Sequence, residues 1–239
     1  PKRVVENAEF EGKIDTDDEW IRSRSGIERR HFVSEGETTS TMATAAALAA
    51  LKDAGKTAAD VDAIILATST ADLTFPSAAT MVQAQLGMER GFAFDIQAVC
   101  AGFIFALANA NALIASGQVK RVLIIGAETF SKIIDWTDRT TSVLFGDGAG
   151  ALLLEAQEGD GTSKDRGILS TDLNSDGRLH DLLFADGGVS TGTTGYVRMQ
   201  GNQVFRHAVE KLAATATTAM ERAGIESSDI DWIVPHQAN

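Results

Sequence analysis

Cysteine is almost missing from this chain: Cys100 is the only one in 239 residues. An intramolecular disulfide is therefore excluded, and a lone thiol fits a reducing compartment. No Cys/His cluster has metal-ligand spacing, so no structural metal is expected. Proline is scarce at three. Apolar runs are short, and none approaches the length of a membrane span. No stretch has the pattern of a secretory leader. The chain opens at Pro1 without a methionine, so its true start is expected to lie upstream. Positive charge is in deficit, with 21 Lys and Arg against 33 Asp and Glu and a net charge of −12. That balance argues against nonspecific nucleic-acid binding. It does not exclude an acidic partner, because docking depends on the local field. Arg22, Arg24, Arg29 and Arg30 do cluster, and they read either as a solvated face or as a contact for a phosphate-rich ligand.

What is present is an ordinary globular composition, 44% apolar, in a chain long enough for one large or two small domains. Helical and strand periods alternate. An Ala/Leu helix is predicted over 41–54, stopped by Gly55. VDAIILAT (61–68) and VKRVLIIG (119–126) read as strands buried on both faces of a sheet. Helices are predicted over 77–86, 101–116 and 201–220, and a strand over 92–99. The glycine-rich stretch at 145–150 reads as a tight turn leading into a strand over 151–155. Residues 172–194 read as extended loops with Leu182 to Phe184 packed beneath. The pattern is α/β.

Part of it repeats. Ala54-Gly55, Asp60-Val61-Asp62 and Ile64-Ile65 recur as Ala223-Gly224, Asp229-Ile230-Asp231 and Ile233-Val234, at a constant offset of 169. Each copy reads as helix, Ala-Gly stop, polar loop and hydrophobic strand, which points to an internal duplication. The first copy continues well beyond its strand, whereas the second stops at Asn239. A second half of equal size needs roughly 80 more residues, so the sequence is expected to be incomplete at its C-terminus. The expected halves are 1–157 and 158–239.

Cys100 falls where the strand over 92–99 turns into a helix. Small neighbours, Ala98, Ala101 and Gly102, leave the sulfur room. A thiol at a helix N-terminus feels unpaired N–H groups and the positive dipole end, which favour the thiolate nucleophile. The placement parallels the nucleophile elbow of hydrolases and makes Cys100 a candidate for covalent catalysis. The plainer reading is a small buried hydrophobe. The second copy's strand leads into Pro235-His236-Gln237-Ala238-Asn239. Catalytic groups collect beyond strand C-termini in α/β sheets, so His236 is a candidate partner for Cys100. The alternative is a satisfied loop or core histidine. His31, His180 and His207 lack comparable support.

AVCAGF (98–103), FGDGAGA (145–151) and VPHQAN (234–239) together resemble the β-ketoacyl-acyl-carrier-protein synthase III family. DTDDEWIRSRSGIERR (15–30), FPSAAT (75–80), TDRTT (137–141) and MQGNQVF (199–205) extend the likeness across the chain. The resemblance implies an α/β, thiolase-like αβαβα layered fold of two duplicated halves, the second truncated here. It implies that Cys100 takes an acyl group, typically acetyl, from coenzyme A and condenses it with malonyl-acyl carrier protein after loss of CO2. His236 would help hold the enolate oxygen. The family's second such donor, an asparagine, lies beyond Asn239, so a chain ending there is expected to have little condensing activity. Thr16, Trp20, Arg24 and Arg139 match contacts to the nucleotide end of coenzyme A, with Trp20 and Arg139 on either side of the adenine. Gly201, Asn202, Phe205 and Asn239 match the pantetheine tunnel and pocket. Arg206 matches a carrier-protein docking position. Phe75 matches a residue that reaches across a homodimer into the partner's acyl pocket, where a large ring favours an acetyl-class primer. Asp147 and its glycines read as structural, because no GxxxxGK phosphate loop is present. No cofactor is implied, since acyl-CoA is a substrate, and the implied location is cytoplasmic. The competing expectations are a related thiolase-fold acyltransferase for a specialised acyl-CoA, a two-cysteine thiolase whose second cysteine lies further on, and a non-catalytic dimerisation fragment.

Overall fold

A computed structural model describes residues 1–237. The chain divides into two compact units, one made of residues 1–132 and 145–156, the other of residues 133–144 and the chain from 157 onward.

The first unit opens with strand β1 (Arg3–Glu6), helix α1 (Asp18–Ser25) and strand β2 (Arg29–Phe32), which pairs antiparallel with β1. Helix α2 (Thr39–Asp53) follows, capped by Thr38 through a reciprocal bond with Thr41. Next come β3 (Ala63–Ala67), α3 (Ala78–Gln85), β4 (Phe92–Ile96), α4 (Gly102–Ala115), β5 (Arg121–Thr129) and β6 (Asp147–Glu155). The main sheet has the order β4-β3-β5-β6. β3 runs parallel to β4 and β5, and β6 is antiparallel at the edge.

Every residue of β3 is buried, as the unbroken apolar run predicts. Ile64 and Leu66, with Leu123, Ile125 and Ala127 of β5, pack under α2 and α3. Ala63, Ile65 and Ala67, with Val122 and Ile124, pack under α4. Alternation along each strand thus feeds two cores, one on each face. Fully burying each large aliphatic side chain contributes about 1.5–3 kcal/mol. Asp95 on β4 fixes the start of α3, its carboxylate accepting from Ala78 N (2.8 Å) and Ala79 N (2.7 Å).

The glycine-rich stretch is not a turn. β6 begins at Asp147 and carries Gly148, Ala149 and Gly150 opposite Glu128, Ala127 and Gly126 of β5. Glycine weakens a strand, but a nine-residue antiparallel ladder overrides that local preference. Asp147 is structural as expected. Its carboxylate accepts from Val33 N, Ser131 N and Ser131 Oγ.

The second unit contains a short helix α5 (Arg139–Ser142), an antiparallel pair β7 (Leu183–Ala185) and β8 (Val197–Met199), and the long helix α6 (Gly201–Ala223). Residues 133–144 are tied in through Val197 N to Ile133 O (2.8 Å) and through Arg198, which bridges Asp135 (2.8 Å) and Asp186 (2.7 Å). The Thr137 hydroxyl and N–H, together with the Arg198 guanidinium, hold the Asp135 carboxyl down to about 2. A carboxyl depressed on folding contributes stability above its unfolded value, about 3.9, and loses it as the pH falls through the folded value. The stability gap between wild type and Asp135→Asn, read from urea midpoints, is therefore expected to close as the pH falls from about 4 to about 2.

The repeat has a local structural counterpart. Gly55 and Gly224 both end a helix with positive φ, +63° and +66°. Turns of 3-10 helix follow at Ala58–Asp60 and Ser227–Asp229, each closed by a reciprocal bond to its last residue. The likeness stops there. The first copy continues into β3, but residues 230–237 form no strand, contrary to expectation. Trp232, Ile233 and Val234 are 86%, 81% and 91% exposed. A strand exists only through a ladder, and no described strand pairs with this segment.

Candidate active site

β3, β4 and β5 end on the same edge of the sheet, where α/β folds collect ligand-binding and catalytic groups. Cys100 follows β4 on a single turn of 3-10 helix (Val99–Ala101) that leads into α4. The residue before it, Val99, has φ +46°. A β-branched residue in the left-handed region is strained by roughly 1–3 kcal/mol, and such strain concentrates at functional turns. Gly102 shows what holds the turn down. A Cβ there would sit 3.1 Å from Ala67 Cβ, so the start of α4 rests directly on the end of β3.

The Cys100 residue is exposed, so the sulfur can be reached, and the reading of a sealed hydrophobe does not hold. The surroundings of the thiol act against the ionisation expected of it. The surrounding turn withdraws enough water to push the thiol upward, and the negative charge of Glu128 adds to that push. The α-helix itself begins at Gly102, two residues after Cys100.

Glu128 and its neighbours were not legible from the sequence. The Glu128 carboxylate accepts from Ser69 N (2.7 Å) and from the Thr70 hydroxyl (2.5 Å). Burial pushes its pKa up, against the pull of those donors. Thr70 Oγ1 accepts in turn from Thr129 N (2.8 Å), and Thr39 Oγ1 donates to Thr70 O (2.6 Å). The one sequence signal was an acid at the end of an apolar strand.

Several other candidates lie in the first unit. Trp20 and Arg24 are brought together on α1, the guanidinium 4.6 Å from the ring centroid. Arg22 is held by Asp18 and Glu28. Arg30 is not on a solvated face: it is buried over the Phe10 ring and bonded to Asn7 Oδ1 (2.8 Å). The Thr16 hydroxyl is buried without a hydrogen-bond partner among the described residues. Phe75 is 82% exposed in the loop before α3.

The remaining candidates lie in the second unit. Gly201, Asn202, Phe205 and Arg206 occupy the first turns of α6, with Phe205 and Arg206 exposed. A Cβ on Gly201 would meet only Met199 Cε, at an ordinary 3.7 Å, so protein packing alone does not demand glycine. Arg139 opens α5. His236 lies in the exposed segment without regular structure. Asn239 lies outside the described residues. Among the described residues, no group of three or more His, Cys, Asp or Glu could hold a metal ion, and no helix is long and apolar enough to cross a membrane.

The profile of the 3-oxoacyl-[acyl-carrier-protein (ACP)] synthase III family matches residues 94–177, which include the Cys100 turn and the Asp147 strand. A β-ketoacyl-[acyl-carrier-protein] synthase III of Ruegeria sp. (strain TM1040) is 80% identical over the whole chain, which covers 74% of that protein. Its counterpart in Roseobacter denitrificans (strain ATCC 33942 / OCh 114) is 79% identical with the same coverage. The chain belongs to the β-ketoacyl-acyl-carrier-protein synthase III family. The crystal structure of the Aquifex aeolicus VF5 3-oxoacyl-[acyl-carrier-protein] synthase III superposes with a TM-score of 0.91 at 44% identity, over all of this chain and 74% of that one. The fold is accordingly the α/β thiolase type. Family membership makes the chain an acyltransferase-type condensing enzyme of fatty acid synthesis.

Proposed function

We propose that the protein starts fatty acid chains by a two-stage reaction centred on Cys100. The sulfur attacks the thioester carbonyl of an acyl-CoA, the C–S bond to coenzyme A breaks, and the acyl group becomes a Cys100 thioester. Malonyl-acyl carrier protein then loses CO2. The electron pair of the broken C–C bond forms an enolate, which attacks the acyl carbonyl and expels the Cys100 sulfur. The thioester divides one difficult condensation into two easier steps. The observation that carries this reading is the placement of Cys100: exposed, on a strained turn, at the strand ends of the sheet.

The remaining assignments rest on the family motifs. His236 serves as the donor to the enolate oxygen. Thr16, Trp20, Arg24 and Arg139 receive the nucleotide end of coenzyme A, for which an indole face and guanidinium planes are suited. Gly201, Asn202, Phe205 and Asn239 line the path of the pantetheine arm. Arg206, exposed on α6, suits an acidic carrier protein. Phe75, exposed ahead of α3, suits a role in the acyl pocket of a homodimer partner and an acetyl-class primer. Acyl-CoA is a substrate, no cofactor takes part, and the reaction belongs in the cytoplasm.

The test is direct. Acetyl-CoA is expected to add one acetyl mass to the intact protein, located on the peptide containing Cys100, and to protect that residue from iodoacetamide. Longer and branched acyl-CoA compounds are expected to label more slowly. Absence of any label from every acyl-CoA overturns the reading, and equal labelling by all of them overturns the acetyl preference.

A further inference from the structure

The loop between β3 and α3 carries two bare apolar side chains, Leu73 at 51% and Phe75 at 82% exposure. Water disfavours that exposure, and a slack loop would fold them down onto the nearest apolar surface. This loop is tied at both ends. Ser69 N and the Thr70 hydroxyl donate to Glu128, Thr129 N donates to Thr70 Oγ1, and Thr39 Oγ1 donates to Thr70 O. At the far end, Ala78 N and Ala79 N donate to Asp95.

Asp72 is the polar anchor that precedes the exposed tip. It reaches sideways to the first turn of α2, where its carboxylate accepts from Ser40 N (2.9 Å) and from the buried Ser40 hydroxyl (2.9 Å). The direction of the protons is set from behind. Thr44 Oγ1 donates to Gln85 Oε1 (2.7 Å), and Gln85 Nε2 donates to Ser40 Oγ (3.2 Å), which leaves the Ser40 proton for Asp72. The bonds run from α2 to α3, back to α2 and out to the loop, with a carboxylate as the last acceptor. An acid beside a helix N-terminus is also favoured by the dipole. Phe75 follows Asp72 by three residues, and Ser77, the cap of α3, follows Phe75 by two. At about 3.3–3.6 Å per residue, the tip stays close to both anchors.

We propose that Asp72 is a positioning residue for acyl selection: seated on α2 through Ser40, it holds the loop so that the Phe75 ring stands clear of its own subunit, placed to wall a partner's acyl pocket. This rests on the reading of Phe75 given above. A ring on a fixed loop sets a hard limit on acyl length. A ring on a loose loop yields to a longer chain and changes little for a short one. Loss of Asp72 should therefore alter which acyl group is accepted more than how fast acetyl is accepted.

Acylation of Cys100 by acetyl-CoA and by octanoyl-CoA is followed by intact mass for wild type, Asp72→Ala, Asp72→Asn and Phe75→Ala. Phe75→Ala and Asp72→Ala are each expected to lower the acetyl-to-octanoyl rate ratio by about threefold or more. Asp72→Asn should stay near wild type, because its oxygen can accept from Ser40 N and its NH2 can donate to Ser40 Oγ, a hydroxyl with two acceptor sites. Amide nitrogen relaxation reads the loop without any acyl donor. The order parameters of Leu73, Thr74 and Phe75 are expected at about 0.85 in wild type and below about 0.6 in Asp72→Ala. A merely structural Asp72 would lower the melting temperature and leave the ratio at the wild-type value while Phe75→Ala changes it, and that result overturns the proposal. A tip that stays rigid in folded Asp72→Ala overturns it too. If Asp72→Ala does not fold, Ser40→Ala removes the hydroxyl alone and should move both readouts in the same direction by less, and wild-type values of both overturn the proposal. A loosened tip in Asp72→Ala with Phe75→Ala at the wild-type ratio sinks the acyl-pocket reading of Phe75 but supports the hold of Asp72 on the loop.

Discussion

Cys100→Ala is expected to take up no acyl group from acetyl-CoA, with labelling down by about 10³-fold or more. The loss is chemical, not structural. Cys100 is exposed and belongs to neither buried core cluster, so its removal opens no cavity. The melting temperature should stay close to wild type, as it does for most substitutions away from packed sites. Cys100→Ser separates the two readings further. Serine keeps the size and the turn, but an alcohol ionises far less readily than a thiol. It should be as unreactive as alanine towards acyl-CoA and just as stable. The measurements are intact mass after incubation with acetyl-CoA and a thermal melt. Acyl label surviving in a folded Cys100→Ala protein would remove the residue from the chemistry.

The turn that carries Cys100 was legible in the sequence, and the Glu128 carboxylate at the strand ends was not. The placement was legible because it is local: an apolar strand, small residues and a helical period adjoin one another from Phe92 to Ile114. The Glu128 carboxylate was not, because it is distant in sequence from Ser69 and Thr70 and meets them only through the parallel pairing of β3 and β5. β3 and β5 were legible for the same local reason, as unbroken apolar runs. Gly55 and Gly224 were legible as helix stops, and both adopt the positive φ that glycine permits.

The misses share a cause as well. The stretch from Gly146 to Gly150 looks like a turn by composition, yet from Asp147 onward it is strand because nine residues of β5 lie opposite. Ile233 and Val234 look like a strand by composition, yet they are not one because no described strand pairs with them. Arg30 looks solvated in its charged run, yet it is buried against Phe10 and Asn7, residues from an earlier segment. In each case the presence or absence of a partner from another segment decided the outcome.

Asp147 offers the largest expected effect on stability. Asp147→Ala should cost roughly 3–5 kcal/mol, lowering the melting temperature by about 10 °C in a chain of this size. The carboxylate is only 7% exposed and joins three segments. One oxygen accepts from Ser131 N (2.8 Å), and the other from Val33 N (2.7 Å) and Ser131 Oγ (2.6 Å). Alanine leaves two backbone N–H groups without their acceptor in a largely dry setting, and each such loss costs about 1–3 kcal/mol. Asp147→Asn should rescue little. Whichever way the amide is turned, its NH2 faces one of those backbone N–H groups, donor against donor. Ser131→Ala, which removes only the hydroxyl, should cost about 1 kcal/mol. The ranking Ala, Asn, then Ser131→Ala, from most to least damaging, is checked by thermal melts of the three variants. An Asp147→Asn protein as stable as wild type would mean that the charge and its two acceptor oxygens do not hold β6 to the ends of β2 and β5.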